Sequence, residues 1–213
     1  MNKKERGLIF NGEMVRATLG DRKSQTRRTR GLNKVNQNPN AWTYGGINIY
    51  KQHIFYPVPD EYPDDFDGLV RCPYGVPGDQ LWVRETWRSL VCGGLDGYEA
   101  DGSWVIASSS KKPSIHMPRQ YSRILLEIAN VRVERVQDIS DDDAGAEGIF
   151  NNSGLHLWHC WGQQFHPDQM CGCGDNYPSE EFGKLWDTIN AKRGCGWDVN
   201  PWVWVIEFKV LEK

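Results

Sequence analysis

Two groups of residues carry chemical potential. From Arg16 to Arg30 the chain holds six cations, Arg16, Arg22, Lys23, Arg27, Arg28 and Arg30, against one acid, Asp21. Arginine offers a planar fork that matches phosphate and lysine a movable point charge. The segment therefore reads as a local anion site, with a solvated basic loop as the plainer alternative. The second group centres on a misplaced carboxylate. In Gln80-Leu81-Trp82-Val83-Arg84-Glu85-Thr86-Trp87, strand alternation puts Glu85 on the same face as Leu81, Val83 and Trp87. A carboxylate on an apolar face needs a charged or hydrogen-bonding partner, and the basic segment is the expected source of it.

Two further sets are weaker. His116 lies in an extended segment between Pro113 and Pro118, beside Arg119. An imidazole there suits a phosphate contact, a proton shuttle or a satisfied structural role. His156, His159, Cys160, His166, Cys171 and Cys173, with Cys195 further on, include enough soft ligands for zinc. Their spacing is unconvincing, because Cys-x-Cys is tighter than the usual zinc pair. No cofactor is expected, with zinc at His159, Cys160, Cys171 and Cys173 as the exception to be tested.

These residues need elements to position them. Gly7 to Phe10 reads as a strand, and Asn11 caps a helix with Val15, Thr18 and Leu19 on one face. Asp21 to Arg30 reads as a loop, and 31–50 as an irregular excursion. Pro77-Gly78 predicts a turn into the strand 80–87, and Asp101-Gly102 a hairpin. Tyr121 to Val136 gives one long or two consecutive strands, with a break at Asn130. Ser140 opens a short helix that stops near Gly148. Phe182, Leu185, Trp186 and Ile189 mark a further helix with Ser179 as its cap, and Trp202 to Val210 alternates as a central or barrel strand. Together these predict an α+β domain, a partly closed, mixed or mostly antiparallel β-barrel with two or three short helices.

The 213 residues suit one domain with one core. The charge of −3, from 25 basic and 28 acidic residues, provides no global attraction for polyanions, so any anion site is local. No apolar run reaches the ~20 residues that span a bilayer, and the start Met1-Asn2-Lys3-Lys4-Glu5-Arg6 lacks the apolar stretch of a signal peptide. A cytoplasmic protein with reduced thiols and no membrane partner is expected.

The segment Arg22-Lys23-Ser24-Gln25-Thr26-Arg27-Arg28 resembles the Gly-x-Lys-x-x-Thr-x-Arg signature of the ASCH domains, a branch of the PUA-like superfamily. Cys72-Pro73-Tyr74-Gly75, Pro77-Gly78-Asp79, Leu81 to Trp87, Lys112 to Arg119 and Asn200 to Trp204 resemble the pattern of phage and prophage members. These blocks cover roughly half the chain. Segments 31–69, 89–111 and 149–178 match nothing in that pattern and read as insertions in a single domain. The glycine expected before Arg22 is Asp21, which tolerates a left-handed conformation. Similarity to the bacterial ASCH amidohydrolases that deacetylate N4-acetylcytidine implies a catalytic trio of Lys23, Thr26 and Glu85. In that reading Thr26 attacks an acyl carbonyl, a neutral Lys23 accepts its proton, and Glu85 orients the lysine or transfers a proton. Neighbouring arginines favour neutral Lys23, and an adjacent ionised carboxylate opposes it. The PUA-like resemblance equally implies a non-catalytic RNA-binding module, with Arg22, Arg27, Arg28, His116 and Arg119 gripping phosphate and Trp87 stacking a base. The implied partner is a nucleotide, modified nucleoside or RNA. A ribonuclease is a third reading, without the paired carboxylates that would support it.

Overall fold

A computed structural model describes residues 3–58, 68–104, 109–149 and 177–213. Its backbone is an open mixed sheet with two smaller antiparallel sheets and three α-helices among the described residues. The main sheet has the order β1 (Glu5–Ile9), β6 (Gln80–Arg84), β11 (Leu125–Arg135), β12 (Trp202–Glu212), β2 (Gln25–Arg28). Its β1–β6 pair is parallel and its other pairs are antiparallel. β3 (Trp42–Ile47), β4 (His53–Pro57) and β5 (Leu69–Val70) form a second sheet. β7 (Trp87–Ser89), β8 (Leu95–Tyr98), β9 (Ser103–Trp104) and β10 (Ser110–Lys112) form a third, in the order β10-β7-β8-β9. The helices are α1 (Gly12–Leu19), α2 (Asp141–Ala146) and α3 (Pro178–Asn190).

The main sheet is mixed and mostly antiparallel, as expected, but it is open where the sequence predicts a partly closed barrel. β1 and β2 are its two edges, yet Arg28 Nη2 on β2 donates to the Ile9 carbonyl on β1 at 2.8 Å. The sheet thus curls until its edges face each other, and a side chain spans the seam where a barrel would have a hydrogen-bond ladder. Inside the curl lie Leu8, Phe10, Leu81, Val83, Leu126, Ile128, Trp204 and Ile206, all buried. β12 is apolar on both faces because Val203 and Val205 point the other way, into a second cluster with Phe182 and Trp186 of α3.

Several boundaries follow their local signals. Asn11 Oδ1 accepts from the Met14 amide at 2.8 Å, and Ser140 Oγ from the Asp143 amide at 3.1 Å, capping α1 and α2. Asn130 falls at a register shift within β11, which is a single strand. Elsewhere tertiary context overrides the local reading. The expected loop 21–30 contains β2, because Gln25, Thr26 and Arg27 are buried against β12 and α2. The expected irregular stretch contains β3. The alternating run 80–87 keeps its burial pattern but is divided between β6 and β7, which belong to different sheets, with Glu85 at the division. Ser179 does not cap α3. Tyr177 occupies that position without a side-chain bond and Pro178 takes the first turn, where its missing N–H costs nothing.

The second sheet covers one end of the main core. His53 meets Trp204 edge-on at 4.6 Å and bonds the Tyr44 hydroxyl at 2.9 Å, and Phe55 meets Trp202 at 5.4 Å. Burial holds the His53 pKa down to about 4 from 6.5. Between those values the unfolded chain binds a proton that the folded chain does not, so acidification favours unfolding. Stability is expected to fall as pH drops from 6.5 toward 4. Urea titrations of wild type and His53→Gln should show the acid limb reduced in the variant; an undiminished limb would assign it to other groups.

Candidate functional site

The site begins where α1 ends. Gly20 N–H bonds the Arg16 carbonyl at 3.0 Å, and Asp21 then takes φ 55°. This is the left-handed geometry for which glycine is favoured and which aspartate tolerates. The reversal turns the chain back so that the Arg22 and Lys23 amides bond the Ala17 carbonyl at 2.8 and 3.2 Å. Lys23 is thereby delivered into the interior, its side chain 0 % exposed. Ser24 N–H ties the same turn to the Ala146 carbonyl at the end of α2.

The lysine meets Glu147 there. Lys23 Nζ lies 2.6 Å from Glu147 Oε2 and 2.7 Å from the Glu147 carbonyl, while Arg27 Nη1 takes Oε1 at 3.3 Å. Arg27 also bonds Glu134 and Asp143, so its charge is bracketed by three carboxylates. The chain leaves Glu147 through Gly148 at φ 93°, where an added Cβ would stand 2.9 Å from Ala17 Cβ and 3.4 Å from Lys23 Cβ. A glycine is required there by both conformation and space.

Glu85, expected to be the carboxylate beside Lys23, is held elsewhere. Its oxygens accept from Arg123 Nε at 2.9 Å and Nη2 at 3.0 Å, and the same guanidinium bonds Asp101 at 2.7 and 2.8 Å. Arg123 also covers the Tyr98 ring at 4.0 Å. This bridge joins the end of β6 to the β8–β9 hairpin. The buried carboxylate does have the partner that its apolar face demands, and that partner is an arginine from the segment before β11. Electrostatically, Lys23 feels Glu147, Arg28 and Arg27, whereas Glu85 feels Arg123 and Asp101.

The pKa values follow from these surroundings. Burial pushes Lys23 below its ordinary value; Glu147 opposes that shift, and Arg28 and Arg27 add to it. Burial raises Glu85, and Arg123 opposes it.

A cleft of about 400 Å³ lies along the seam between the sheet edges. Gly7, Leu8 and Ile9 of β1 and Thr26, Arg27 and Arg28 of β2 line it, with Asn11, Met14, Arg30, Tyr74, Arg84 and Glu147 around them. α3 supplies an apolar wall through Phe182, Leu185, Trp186 and Ile189. Alternation along β2 sorts the roles: Gln25 and Arg27 turn toward Asp143 of α2, while Arg28 reaches across to β1. Thr26 shares the Arg28 side and is buried, at 1 % exposure.

Of the residues expected from sequence, Thr26, Arg27 and Arg28 meet at the cleft, and Lys23 stands behind it through Glu147. Trp87 is buried against Tyr121 at 5.2 Å, which removes its face as a stacking platform. Arg119 pairs with Glu5 at 2.8 Å, His116 is exposed, and Arg22 is exposed on the turn after α1. None of these four lines the cleft. His159, Cys160, Cys171 and Cys173 lie outside the described residues; among those described, no cluster of His, Cys, Asp or Glu is arranged to hold a metal. No helix among them is long and apolar enough to cross a membrane.

No family model matches the chain, and neither does a curated protein. A crystal structure of an Enterococcus faecalis V583 protein, described as a member of the family DUF984, is similar at 11 % identity and a TM-score of 0.37, covering 100 % of this chain and 82 % of that one. Nothing about fold or function is transferred at that level of likeness.

Removing one partner of the buried pair separates the two carboxylates. Glu147→Gln leaves the Lys23 ammonium buried beside a neutral amide and is expected to cost about 3–5 kcal/mol at neutral pH. The loss should shrink as pH rises, because the folded variant releases the lysine proton while folded wild type, with Glu147 beside the lysine, still holds it. Denaturant titrations across pH check this. A pH-independent loss would show that Lys23 holds its proton equally in wild type and variant, so that Glu147 does not set its charge state.

Proposed function

We propose that the protein is an ASCH-type, PUA-like domain whose seam cleft takes a nucleotide, modified nucleoside or RNA and hydrolyses an acyl group from a cytidine-type base. The observation that carries this reading is the lysine at the back of the cleft. Lys23 is dry, paired with Glu147 and shifted toward its neutral form, on the same turn that leads into Thr26. A buried lysine with a lowered pKa, three residues before a threonine that lines the cleft, supplies the base and the hydroxyl that an activated nucleophile requires.

Thr26 Oγ1 attacks the acyl carbonyl carbon as its proton passes to neutral Lys23 Nζ. The C–N bond breaks and the exocyclic amine leaves with that proton. Water, deprotonated by the same lysine, then releases the acyl group from Thr26 as a carboxylic acid. Glu147 is the positioning carboxylate in this scheme, since both its oxygens and its carbonyl are committed to holding Lys23 and Arg27. Glu85 takes the role of bracing the third sheet through Arg123.

A second reading, a non-catalytic RNA grip, is favoured by the arginines along the cleft. Turnover separates the two. With N4-acetylcytidine as substrate, Thr26→Val and Lys23→Met are each expected to reduce kcat/KM by at least ~10²-fold, with Glu85→Gln far less damaging. The wild-type rate should climb with pH to a midpoint below 10.5, as required of a base that acts when neutral. Binding of cytidine ligands without turnover in any variant, wild type included, would select the grip.

A further inference from the structure

Hydrolysis of a neutral acyl amide leaves the charge of the cleft unexplained. Arg28, Arg30, Arg84 and Arg193 all line it. Arg28 and Arg84 are bonded to neutral carbonyls, those of Ile9 and Ile115, and the Nε of each is buried without a hydrogen-bond partner. Arg30 and Arg193 are exposed. Among the described residues none of the four forms a salt bridge, although Glu147 acts on Arg28 through space. The carboxylate that does line the cleft, Glu147, is already shared by Lys23 and Arg27.

Other arginines of this chain are treated differently. Arg27 is bracketed by Glu134, Asp143 and Glu147, Arg123 by Glu85 and Asp101, and Arg132 by Glu134, Asp143 and Glu207. Burying a guanidinium without a bonded counter-ion opposes folding, and burial lowers the Arg28 pKa, with Tyr74 and Glu147 opposing that shift. Tyr74 lies within the field of both Arg28 and Arg30. Arg16 and Arg135 also bond only uncharged groups; it is the gathering of four such cations at one cleft, whose carboxylate is already engaged, that is complementary to an anionic ligand.

We infer that the Arg28, Arg30, Arg84 and Arg193 end of the cleft is a phosphate subsite, so that the substrate is a phosphate ester of the nucleoside whose base reaches Thr26. Thr26 and Arg28 share one side of β2 two residues apart, about 7 Å. A ligand touching both is longer than a base alone. The arginine forks supply bidentate, charge-assisted bonds to phosphate oxygens. The inference rests on the nucleoside reading of the cleft and narrows it from a free nucleoside to a nucleotide or RNA.

Calorimetric titration of the full chain with cytidine, cytidine 5′-monophosphate, inorganic phosphate and a short cytidine-containing oligoribonucleotide, with and without a 5′-phosphate, tests it. The monophosphate is expected to bind at least about tenfold more tightly than cytidine, with the advantage shrinking as salt is raised. Arg28→Gln should bring the ratio toward one. So should Arg30→Gln/Arg193→Gln, whose exposed positions leave the fold intact. Preference for the 5′-phosphorylated oligonucleotide assigns a terminal phosphate, and equal binding of both oligonucleotides, each tighter than cytidine, assigns an internal diester. Equal affinity for cytidine and its monophosphate would overturn the subsite and leave the nucleoside reading standing. Binding of phosphate and monophosphate alike, with none of cytidine, would keep the subsite and overturn the nucleoside reading. Failure of every ligand to bind would overturn both.

Discussion

The site depends on one buried ion pair. Placing the Lys23 ammonium and the Glu147 carboxylate out of water is costly, and their attraction offsets the cost only when geometry is good and the remaining donors and acceptors are satisfied. Those conditions are met: a second bond from Nζ to the Glu147 carbonyl, Arg27 on the other carboxylate oxygen, and backbone ties from the Lys23 turn to Ala17 and from Ser24 to Ala146. The pair therefore fixes three things together, the turn after α1, the end of α2 and the start of β2. Asp21 at positive φ and the Cβ-free Gly148 are the backbone conditions for that meeting.

From that anchor the functional geometry follows. β2 begins two residues after Lys23 and has β12 on one side only, so its other edge looks across the seam toward β1. A fully laddered barrel would fill this gap with backbone hydrogen bonds. Here Arg28 spans it with a side chain, which leaves room for the cleft with Thr26 on its wall. The openness of the sheet and the existence of a site are two aspects of one feature. The low-dielectric setting that favours neutral Lys23 also strengthens any charge placed at the seam.

The features that were legible in the sequence were local. The caps at Asn11 and Ser140, the register shift at Asn130 and the left-handed Asp21 each follow from one residue's own chemistry. The basic segment held the cleft-lining Thr26, Arg27 and Arg28, and the burial of Glu85 followed from alternation. What escaped was non-local. Glu147 stands 124 residues from Lys23 at the C-terminal end of a short helix, whose acids at the start, Asp141 to Asp143, have a bland explanation in helix electrostatics and draw the eye away from it. Its one local signal was the following Gly148, which marks a helix end and not a ligand. Arg123, the partner of Glu85, is likewise hidden in a segment with no periodic pattern. β2 reads as a loop because charged residues are poor strand formers until a neighbouring sheet and helix absorb their charges.

The central claim is that Lys23 is buried in partnership with Glu147 and not with Glu85. Its most direct test is an NMR titration that follows the Lys23 side chain in wild type, Glu147→Gln and Glu85→Gln. The account predicts a midpoint below 10.5 in wild type, a further fall in Glu147→Gln as the favourable carboxylate is lost, and little change in Glu85→Gln. An ordinary lysine midpoint in wild type, or a fall produced by Glu85→Gln and not by Glu147→Gln, would contradict it.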